Sequence, residues 1–340
     1  MPIRNEADFI ARSLGAVLDQ DYPHGAMEVL VADGASVDGT PQVIARLAEG
    51  HPDIRVDVVE NPEKIVATGF NLCLARARGE FIIRVDGHTI IASDYVRQCV
   101  LALARSGADN VGGGMRAVST NRFGEAVSLA TSSRFGVGGA RFHYSQREEW
   151  VDTVYMGAWR REVFVRIGMF DEEQVRNQDD EFNYRLLESH GRILLSPSIK
   201  SQYYTRSTLH SLWRQYYEYG VWKVRVMQKH PRQMRPRQLV PPAFVSVLGL
   251  ALCLTPSSAI AHWGLTLTVC CYTAANLAAS AWAVRRGNRG LLPLLMLTFA
   301  VLHLSYGCGF MTGLAKFWNR WTDRGERRPL AEQPLPEGKP

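Results

Sequence analysis

Between Gln238 and Val284, and again between Gly290 and Ala315, the 340-residue sequence contains no Asp, Glu, Lys or Arg. Each stretch is long enough for membrane helices of about 20 residues, and the first has room for two. Cysteine is scarce too. Cys73, Cys99, Cys253, Cys270, Cys271 and Cys308 form no CxxC pair, and four of them lie in the apolar runs. They read as small buried hydrophobes in a reducing compartment, not as a disulfide framework. No G-x-G-x-x-G follows a first strand, which disfavours a dinucleotide-binding oxidoreductase. The opening Met1-Pro2-Ile3-Arg4-Asn5-Glu6 has no apolar signal-peptide core, so no signal peptide is expected.

The charge that is present clusters beside the apolar runs. Lys223, Arg225, Lys229, Arg232, Arg235 and Arg237 precede them, and Arg285, Arg286 and Arg289 stand between them. The pI near 9.0 therefore reflects basicity flanking a membrane, and nucleic acid is not expected as a partner. Leu209 to His230 reads as an interfacial helix carrying Trp213, Tyr216, Tyr217, Tyr219 and Trp222 among Arg214, Lys223 and Arg225. Ordinary aromatic docking of that helix is the competing reading. With a cytosolic N-terminal domain, three spans would place Lys316, Arg320, Arg324, Arg327 and Arg328 outside, against the positive-inside rule. Either one apolar segment is re-entrant or interfacial, or the rule is broken. Three apolar helices are expected, and the polar, Pro-rich segment after Trp321 is expected to be disordered.

The first half alternates strand and helix patterns. Pro2 to Glu6 resembles the turn after a strand, with no strand expected before it and Asn5 as cap of a helix to Leu18. Glu28–Asp33 and Ile54–Val59 read as strands, with a helix between them capped by Asp38 or Thr40. A helix from about Ile65 to Ala77 is expected to close at Gly79. Phe81 to Asp86 then reads as a buried parallel strand, followed by a helix capped by Ser93. Together these predict a largely parallel sheet covered on both faces. Beyond Asn110 the glycines at 112–114 and 136–139 mark turns and mobile loops. Met115–Val118 and Val154–Trp159 read as strands and Arg161–Ile167 as a short helix. Asp179-Asp180-Glu181 opens a further helix, and Arg192–Leu195 reads as a final short strand.

The chemistry lies at strand ends. Asp33 and Asp86 both terminate apolar strands, where open α/β sheets bind ligands. Helix capping would account for one such carboxylate, but two at strand ends, with His88 two residues past Asp86, suggest a ligand site. Asp86 and His88 are expected to hold a divalent cation against a nucleotide diphosphate. Imidazole suits Mn²⁺ better than Mg²⁺. The acids at 179–181 are either helix-terminal charges favoured by the macrodipole or the place of a general base.

These motifs resemble those of the family 2 inverting glycosyltransferases, which have a GT-A nucleotide-diphosphosugar-binding fold. Pro2-Ile3-Arg4-Asn5-Glu6 resembles the family's P-x-x-N-E turn, and Ala32 to Thr40 its D-D-x-S-x-D-x-T loop. Asp86-Gly87-His88 stands at the D-x-D position. Gln178-Asp179 with Glu181, Phe182 and Arg185 matches the E-D-x-D/E-L/F-x-x-R block. The resemblance covers about residues 1–225. It implies donor contacts from Pro2, Arg4, Glu6, Asp33, Lys64, Asp86 and Gln178, with metal at Asp86 and His88. Asp179 would be the catalytic base, and Arg206 and Arg214 weaker phosphate or acceptor contacts. Gly34 departs from the family by removing the loop's second carboxylate. Gln215-Tyr216-Tyr217-Glu218-Tyr219 is not the Q-x-x-R-W of processive synthases, which favours transfer of a single sugar.

Asp86-Gly87-His88, the Asn177–Glu181 block, Arg206-Ser207-Thr208 and Tyr219-Gly220-x-x-Lys223 point to a similarity with ExoA-type succinoglycan biosynthesis glucosyltransferases. The expected organisation is a GT-A catalytic domain at 1–208 whose first strand is missing through a misassigned start or truncation. An interfacial helix at 209–237, a transmembrane region at 238–315 and a basic, Pro-rich tail at 316–340 would follow. The expected function is transfer of one hexose, glucose from UDP-glucose, to a polyprenyl-diphosphate-linked glycan in exopolysaccharide biosynthesis. Mn²⁺ or Mg²⁺ would assist, at the cytoplasmic face of the inner membrane. Transfer to polyprenyl phosphate, or a catalytically inactive membrane scaffold, are the alternatives.

Overall fold

The computed structural model describes residues 1–138, 141–285, 287–325 and 330; most of the basic, Pro-rich segment expected at 316–340 lies outside the described residues. In chain order the elements are β1 (Pro2–Ile3), α1 (Ile10–Leu18), β2 (Glu28–Asp33), α2 (Thr40–Glu49), β3 (Arg55–Glu60) and α3 (Val66–Arg76). Next come β4 (Phe81–Ile83), β5 (Thr89–Ile91), α4 (Tyr95–Ser106), β6 (Asn110–Val118), α5 (Arg122–Thr131) and α6 (Arg134–Val137). They are followed by β7 (Glu149–Val151), β8 (Tyr155–Arg160), α7 (Glu162–Ile167), α8 (Gln178–Glu188) and β9 (Ile193–Tyr204). The last four helices are α9 (Leu209–Lys229), α10 (Pro236–Leu254), α11 (Ala259–Val284) and α12 (Leu292–Lys316).

These elements fall into two compact units. Met1–Arg116 and Arg141–Tyr204 build the first, and Ala117–Ala140 with Thr205–Arg324 build the second. In the first unit β1, β2 and β3 form a parallel sheet, with Pro2 opposite Ala32 and Ile3 opposite Asp33. A six-stranded sheet runs β4-β8-β6-β9-β5, with β7 paired to β9. Alternate residues of β2 enter different cores. Val29 and Val31 pack with Ile10, Leu14, Ile44 and Leu103, whereas Leu30 and Ala32 pack with Phe70, Leu74, Phe164 and Phe182. A strand buried on both faces needs this unbroken apolar run, and helices cover both sides as the alternating pattern requires.

Several local expectations are corrected. Pro2–Ile3 is itself a short strand paired to β2, and the Met1 amino group donates to Leu30 O at 2.7 Å. The apolar run from Phe81 is a strand only to Ile83 and pairs antiparallel with β8. Asn5 does not cap α1, whose N-cap is Phe9, and Asp94 rather than Ser93 precedes α4. The cap of α3 is Ala77, not Gly79. The glycines at 112–114 are no turn but the middle of β6. A Cβ on Gly113 would stand 1.6 Å from Ile199 O and one on Gly112 2.6 Å from Val154 Cβ, so close approach of neighbouring strands accounts for these two glycines. The strand expected at Arg192–Leu195 continues to Tyr204 as β9, because Ile199 and Ser201 keep alternating inward past Pro197.

In the second unit α10, α11 and the stretch Arg289–Lys316 are each long and apolar enough to cross a membrane. A core of Val127, Ala130, Leu212, Leu291, Leu295, Phe299 and Leu302 joins α5, α9 and α12.

Candidate active site

Two motifs some thirty residues apart are clipped into one piece beyond the ends of β1 and β2. Asn5 N–H donates to Ser36 Oγ at 2.8 Å, and Val37 N–H donates to Asn5 Oδ1 at 3.0 Å. Glu6 N–H donates to Thr40 Oγ1 at 2.9 Å, and Ala7 N–H to Asp38 Oδ2 at 3.0 Å. The Ser36 hydroxyl in turn donates to Asp33 Oδ1 at 2.5 Å. Hydrogen bonds from Thr40 and from the Ala7 amide hold the Asp38 carboxyl below its usual pKa. Asp38 and Thr40 thus tie the loop to the Asn5–Glu6 turn, and neither side chain caps α2.

Asn5 and Ala35 adopt left-handed backbone, φ 52° and 54°, and Lys64 does so at φ 61° beside Asn61, whose N–H donates to Asp33 O. Left-handed backbone costs roughly 1–2 kcal/mol for a residue such as Ala, so the hydrogen bonds of the clip hold a strained turn. Pro2 is buried in the strand, whereas Arg4 and Lys64 are exposed. A Cβ on Gly34 would stand 3.2 Å from Arg4 Cβ and 3.3 Å from Ile3 O, so the Arg4 stem and the β1 backbone crowd the position of the missing second carboxylate.

Past β4 the chain delivers Arg84, Asp86 and His88. Arg84 is buried at 7 % exposure, and its fork grips Asp86: Nε to Oδ1 at 2.7 Å and Nη2 to Oδ2 at 3.3 Å. Burial works to raise the Asp86 pKa, but the charges of Arg84 and then His88 outweigh it and hold the carboxyl below its usual range. Gly87 cannot be larger here, because a Cβ would meet Ile3 Cγ2 at 2.9 Å and Glu6 Cγ at 3.2 Å. His88 Nδ1 lies 3.5 Å from Glu6 Oε1, and the ring packs edge-on against Tyr203. The Pro2–Glu6 turn, the Asp33 loop and Asp86-Gly87-His88 are therefore one locus.

Asp179 is the fourth part. It lies in the first turn of α8, after Asn177 in left-handed backbone and the buried Gln178. Burial raises its pKa; Arg84 opposes the rise and Asp180 adds to it, with a smaller contribution from Asp86. Arg84 thus acts electrostatically on both Asp86 and Asp179. Sequence reasoning missed this residue. The available signal was a single cation between Ile83 and Val85 in an otherwise apolar run.

The three consecutive acids have separate roles. Glu181 is buried and ion-paired with Arg185 at 2.7 Å, and Arg185 also donates to Ile167 O and Met169 O. That pair anchors the start of α8 to the loop before it. Asp179 accepts from the Asp180 amide at 3.0 Å and feels the charges of Arg84 and Asp86. Arg206 and Arg214 belong to the second unit. Arg206 Nε donates to Gln215 Oε1, and the exposed Arg214 pairs with Glu218.

Among the described residues no group of three or more His, Cys, Asp or Glu could hold a metal ion by itself. Asp86 and His88 offer one ionised carboxylate and one imidazole. Such a two-donor set fits a cation that takes its remaining positions from phosphate oxygens and water.

Residues 1–168 match the model of the Glycosyl transferase family 2. The succinoglycan biosynthesis protein ExoA of Rhizobium meliloti (strain 1021) is 30% identical over 327 residues, covering 94% of this chain and 95% of the relative. A Methanococcus voltae transferase, named as a dolichyl N-acetyl-alpha-D-glucosaminyl phosphate 3-beta-D-2,3-diacetamido-2,3-dideoxy-beta-D-glucuronosyltransferase, is 28% identical. That match covers 67% of this chain and 73% of the relative. Among solved structures, the mannosyltransferase PcManGT of Pyrobaculum calidifontis, in complex with GDP-Man and Mn²⁺, superposes with a TM-score of 0.58. It is 22% identical, covering 93% of this chain and 86% of that one, and it bears on the fold alone. The family, the GT-A fold and the likeness to succinoglycan biosynthesis enzymes expected from the motifs are all borne out. The chain is a glycosyltransferase and belongs to glycosyl transferase family 2.

Proposed function

We propose that the chain is a membrane-associated, inverting hexosyltransferase that moves one sugar, glucose from UDP-glucose, onto a polyprenyl-diphosphate-linked glycan in exopolysaccharide biosynthesis. The carrying observation is the arrangement around Arg84, whose charge reaches both the strand-end Asp86 and the α8 carboxylate Asp179. Asp86 stays ionised, as a ligand for a cation or diphosphate must. Asp179 is a better proton acceptor than a free Asp, which suits a general base.

In this reading the clipped Pro2–Glu6 turn and Asp33 loop bind the nucleoside, with Arg4, Lys64 and Gln178 as further donor contacts. Asp86 and His88 hold a divalent ion, Mn²⁺ or Mg²⁺, which when bound offsets the negative charge of the nucleoside diphosphate. Asp179 takes the proton of the acceptor hydroxyl as its oxygen attacks the anomeric carbon in line, inverting the configuration. Arg84 keeps Asp86 ionised and steadies Asp179 when it is charged. Arg206 and Arg214 are candidate acceptor or phosphate contacts. PcManGT, a neighbour of the same fold, holds GDP-Man, which supports a nucleotide-sugar donor, and the dolichyl phosphate in the name of the Methanococcus voltae relative supports a lipid-linked acceptor. The apolar helices support membrane anchoring, which in this reading is at the inner membrane with the site on the cytoplasmic side.

The test is a panel of nucleotide sugars offered to membranes containing the protein, with polyprenyl phosphate or polyprenyl-diphosphate-sugar as acceptor. UDP-glucose with the diphosphate-linked acceptor should give product, and that product should be lost in Asp179→Asn. Product on polyprenyl phosphate alone would move the assignment to a polyprenyl-phosphate glycosyltransferase.

A further inference from the structure

The three long apolar helices of the second unit do not have equivalent surroundings. Only 6% of the apolar window of α10 is buried and 17% of that of α11, against 44% for the segment Arg289–Lys316. The free faces of α10 and α11 are apolar, with Val240, Leu250, Ile260 and Leu267 all exposed. On α11, Trp263 and Trp282 are 71% and 67% exposed and nineteen residues apart, about 28 Å along a helix. Arg285 lies over the Trp282 ring.

The surroundings of α12 are of another kind, because α9 runs beside it in backbone contact. A Cβ on Gly309 would stand 2.0 Å from Tyr217 O, one on Gly220 2.2 Å from Tyr306 O, and one on Gly313 2.6 Å from Val221 O. Yet α9 carries the exposed Arg214, paired with Glu218, charges that a helix packed along a lipid-embedded span would have to bury in hydrocarbon. The first half of α12 is covered as well. His303 Nε2 donates to Phe135 O of α6 at 2.9 Å, leaving Nδ1 to accept from the Tyr272 hydroxyl at 3.0 Å.

The ends of α12 settle its course. Its first residue follows the last turn of α11 by a short link. Its last turn is fastened to the end of α9. The fully buried Arg225 donates to Arg320 O and Asp323 O and pairs with the Asp323 carboxylate, and Gln228 Nε2 donates to Phe317 O. Only six residues lie between Lys229 and Pro236, where α10 begins. If α10 and α11 each cross once, the start of α10 and the end of α11 lie on one side. Both ends of α12 lie there too.

We infer that α10 and α11 form a two-helix hairpin through the bilayer, and that α12 lies along the membrane surface without crossing it. This inference rests on the proposed membrane association. It also removes a conflict in the charge pattern. Lys316, Arg320 and Arg324 come to the same side as Arg232, Arg235, Arg237, Arg285 and Arg289, as the positive-inside rule demands. The exposed Trp318 and Trp321, with Lys316 over the Trp222 ring, then sit at the headgroup level where such side chains are favoured.

The test uses the full chain, with its six cysteines replaced, carrying Ser257→Cys, Asn288→Cys or Trp321→Cys one at a time. A membrane-impermeant maleimide is applied to right-side-out vesicles, inside-out vesicles and detergent-solubilised protein, the last giving full labelling for reference. Position 257 should label from the outside only, and positions 288 and 321 from the inside only. Labelling of 321 from the outside would overturn the surface course of α12, and labelling of 257 and 288 from the same side would overturn the hairpin. An epitope tag placed after residue 340 gives a second readout without cysteine replacement: protease should remove it from inside-out vesicles alone. Release of the whole protein by alkaline carbonate would instead refute the membrane association itself.

Discussion

Arg84 grips Asp86 with two nitrogens, Nε at 2.7 Å from one carboxylate oxygen and Nη2 at 3.3 Å from the other. Both side chains are largely buried, so the pair is neither solvated nor strongly screened by salt. Removing one member of a buried pair strands the other charge. Arg84→Ala should therefore raise the Asp86 pKa. Metal-dependent UDP binding, which needs the ionised carboxylate, should then be lost at a higher pH as the solution is acidified. Arg84→Lys should recover only part of the effect, since a point charge cannot reproduce the fork. Titration calorimetry with UDP and Mn²⁺ from pH 5 to pH 8 measures this, and superimposable profiles for parent and Arg84→Ala would remove Arg84 from the site.

Asp179 should reveal itself through opposite effects on rate and stability. Its pKa in the folded protein is raised, chiefly by burial, so a base in this position gains activity as pH rises through that raised value. The sign for stability is the reverse. Between the ordinary carboxyl value of 3.8 and the raised one, the folded chain binds more protons than the unfolded chain, so stability falls as pH increases. Above the raised value the penalty is fully present. Asp179→Asn, which cannot ionise, should lower turnover by about a hundred- to ten-thousand-fold. It should also melt at a higher temperature than the parent at pH 7, and the difference should shrink toward pH 4. A melting temperature that drops at pH 7 would show that the carboxylate has a structural role.

Much of this site was legible because its parts are short and local. Strand-end carboxylates, a Gly between Asp86 and His88, and a block of acids opening a helix all appear as patterns in the chain. What stayed hidden depends on contacts between distant segments. Glu181 differs from Asp179 by having Arg185 four residues on, but the burial of that pair is not written in the spacing. Nor does the run of glycines at 112–114 announce a strand, because Gly112 answers to Val154 and Gly113 to the backbone at Ile199. Asn5 has the residue type of a helix cap, yet its amide oxygen is engaged by Val37 from the other motif. At Asn5 and Gly113 a long-range partner overrode the local propensity.

Ser36 is the hinge of the clip between the two nucleoside-site motifs. It accepts from the Asn5 amide and donates to Asp33. Ser36→Ala breaks both links while leaving every proposed ligand contact in place. Loss of one such hydrogen bond, worth about 1 kcal/mol, corresponds to a roughly fivefold weaker UDP dissociation constant. Ser36→Thr, which keeps the hydroxyl, should bind close to the parent value. If Ser36→Ala binds UDP as the parent does, the remaining links from Val37 to Asn5, Glu6 to Thr40 and Ala7 to Asp38 hold the loop without it.

The imidazole of His88 makes the strongest claim on the identity of the ion. Its Nδ1 faces Glu6 and its ring edge packs on Tyr203, while Asp86 is held ionised two residues away. One nitrogen and one oxygen donor favour Mn²⁺ over Mg²⁺, because Mg²⁺ prefers oxygen ligands throughout. His88→Asp replaces the nitrogen by a carboxylate and should shift activity toward Mg²⁺, raising the ratio of Mg²⁺- to Mn²⁺-supported transfer. It also puts a second negative charge beside Glu6, so metal-free UDP should bind more weakly than to the parent. EDTA should abolish transfer in both proteins, with recovery on adding back each ion in turn. An unchanged ion preference in His88→Asp would take His88 out of the metal site and leave Asp86 as its protein ligand.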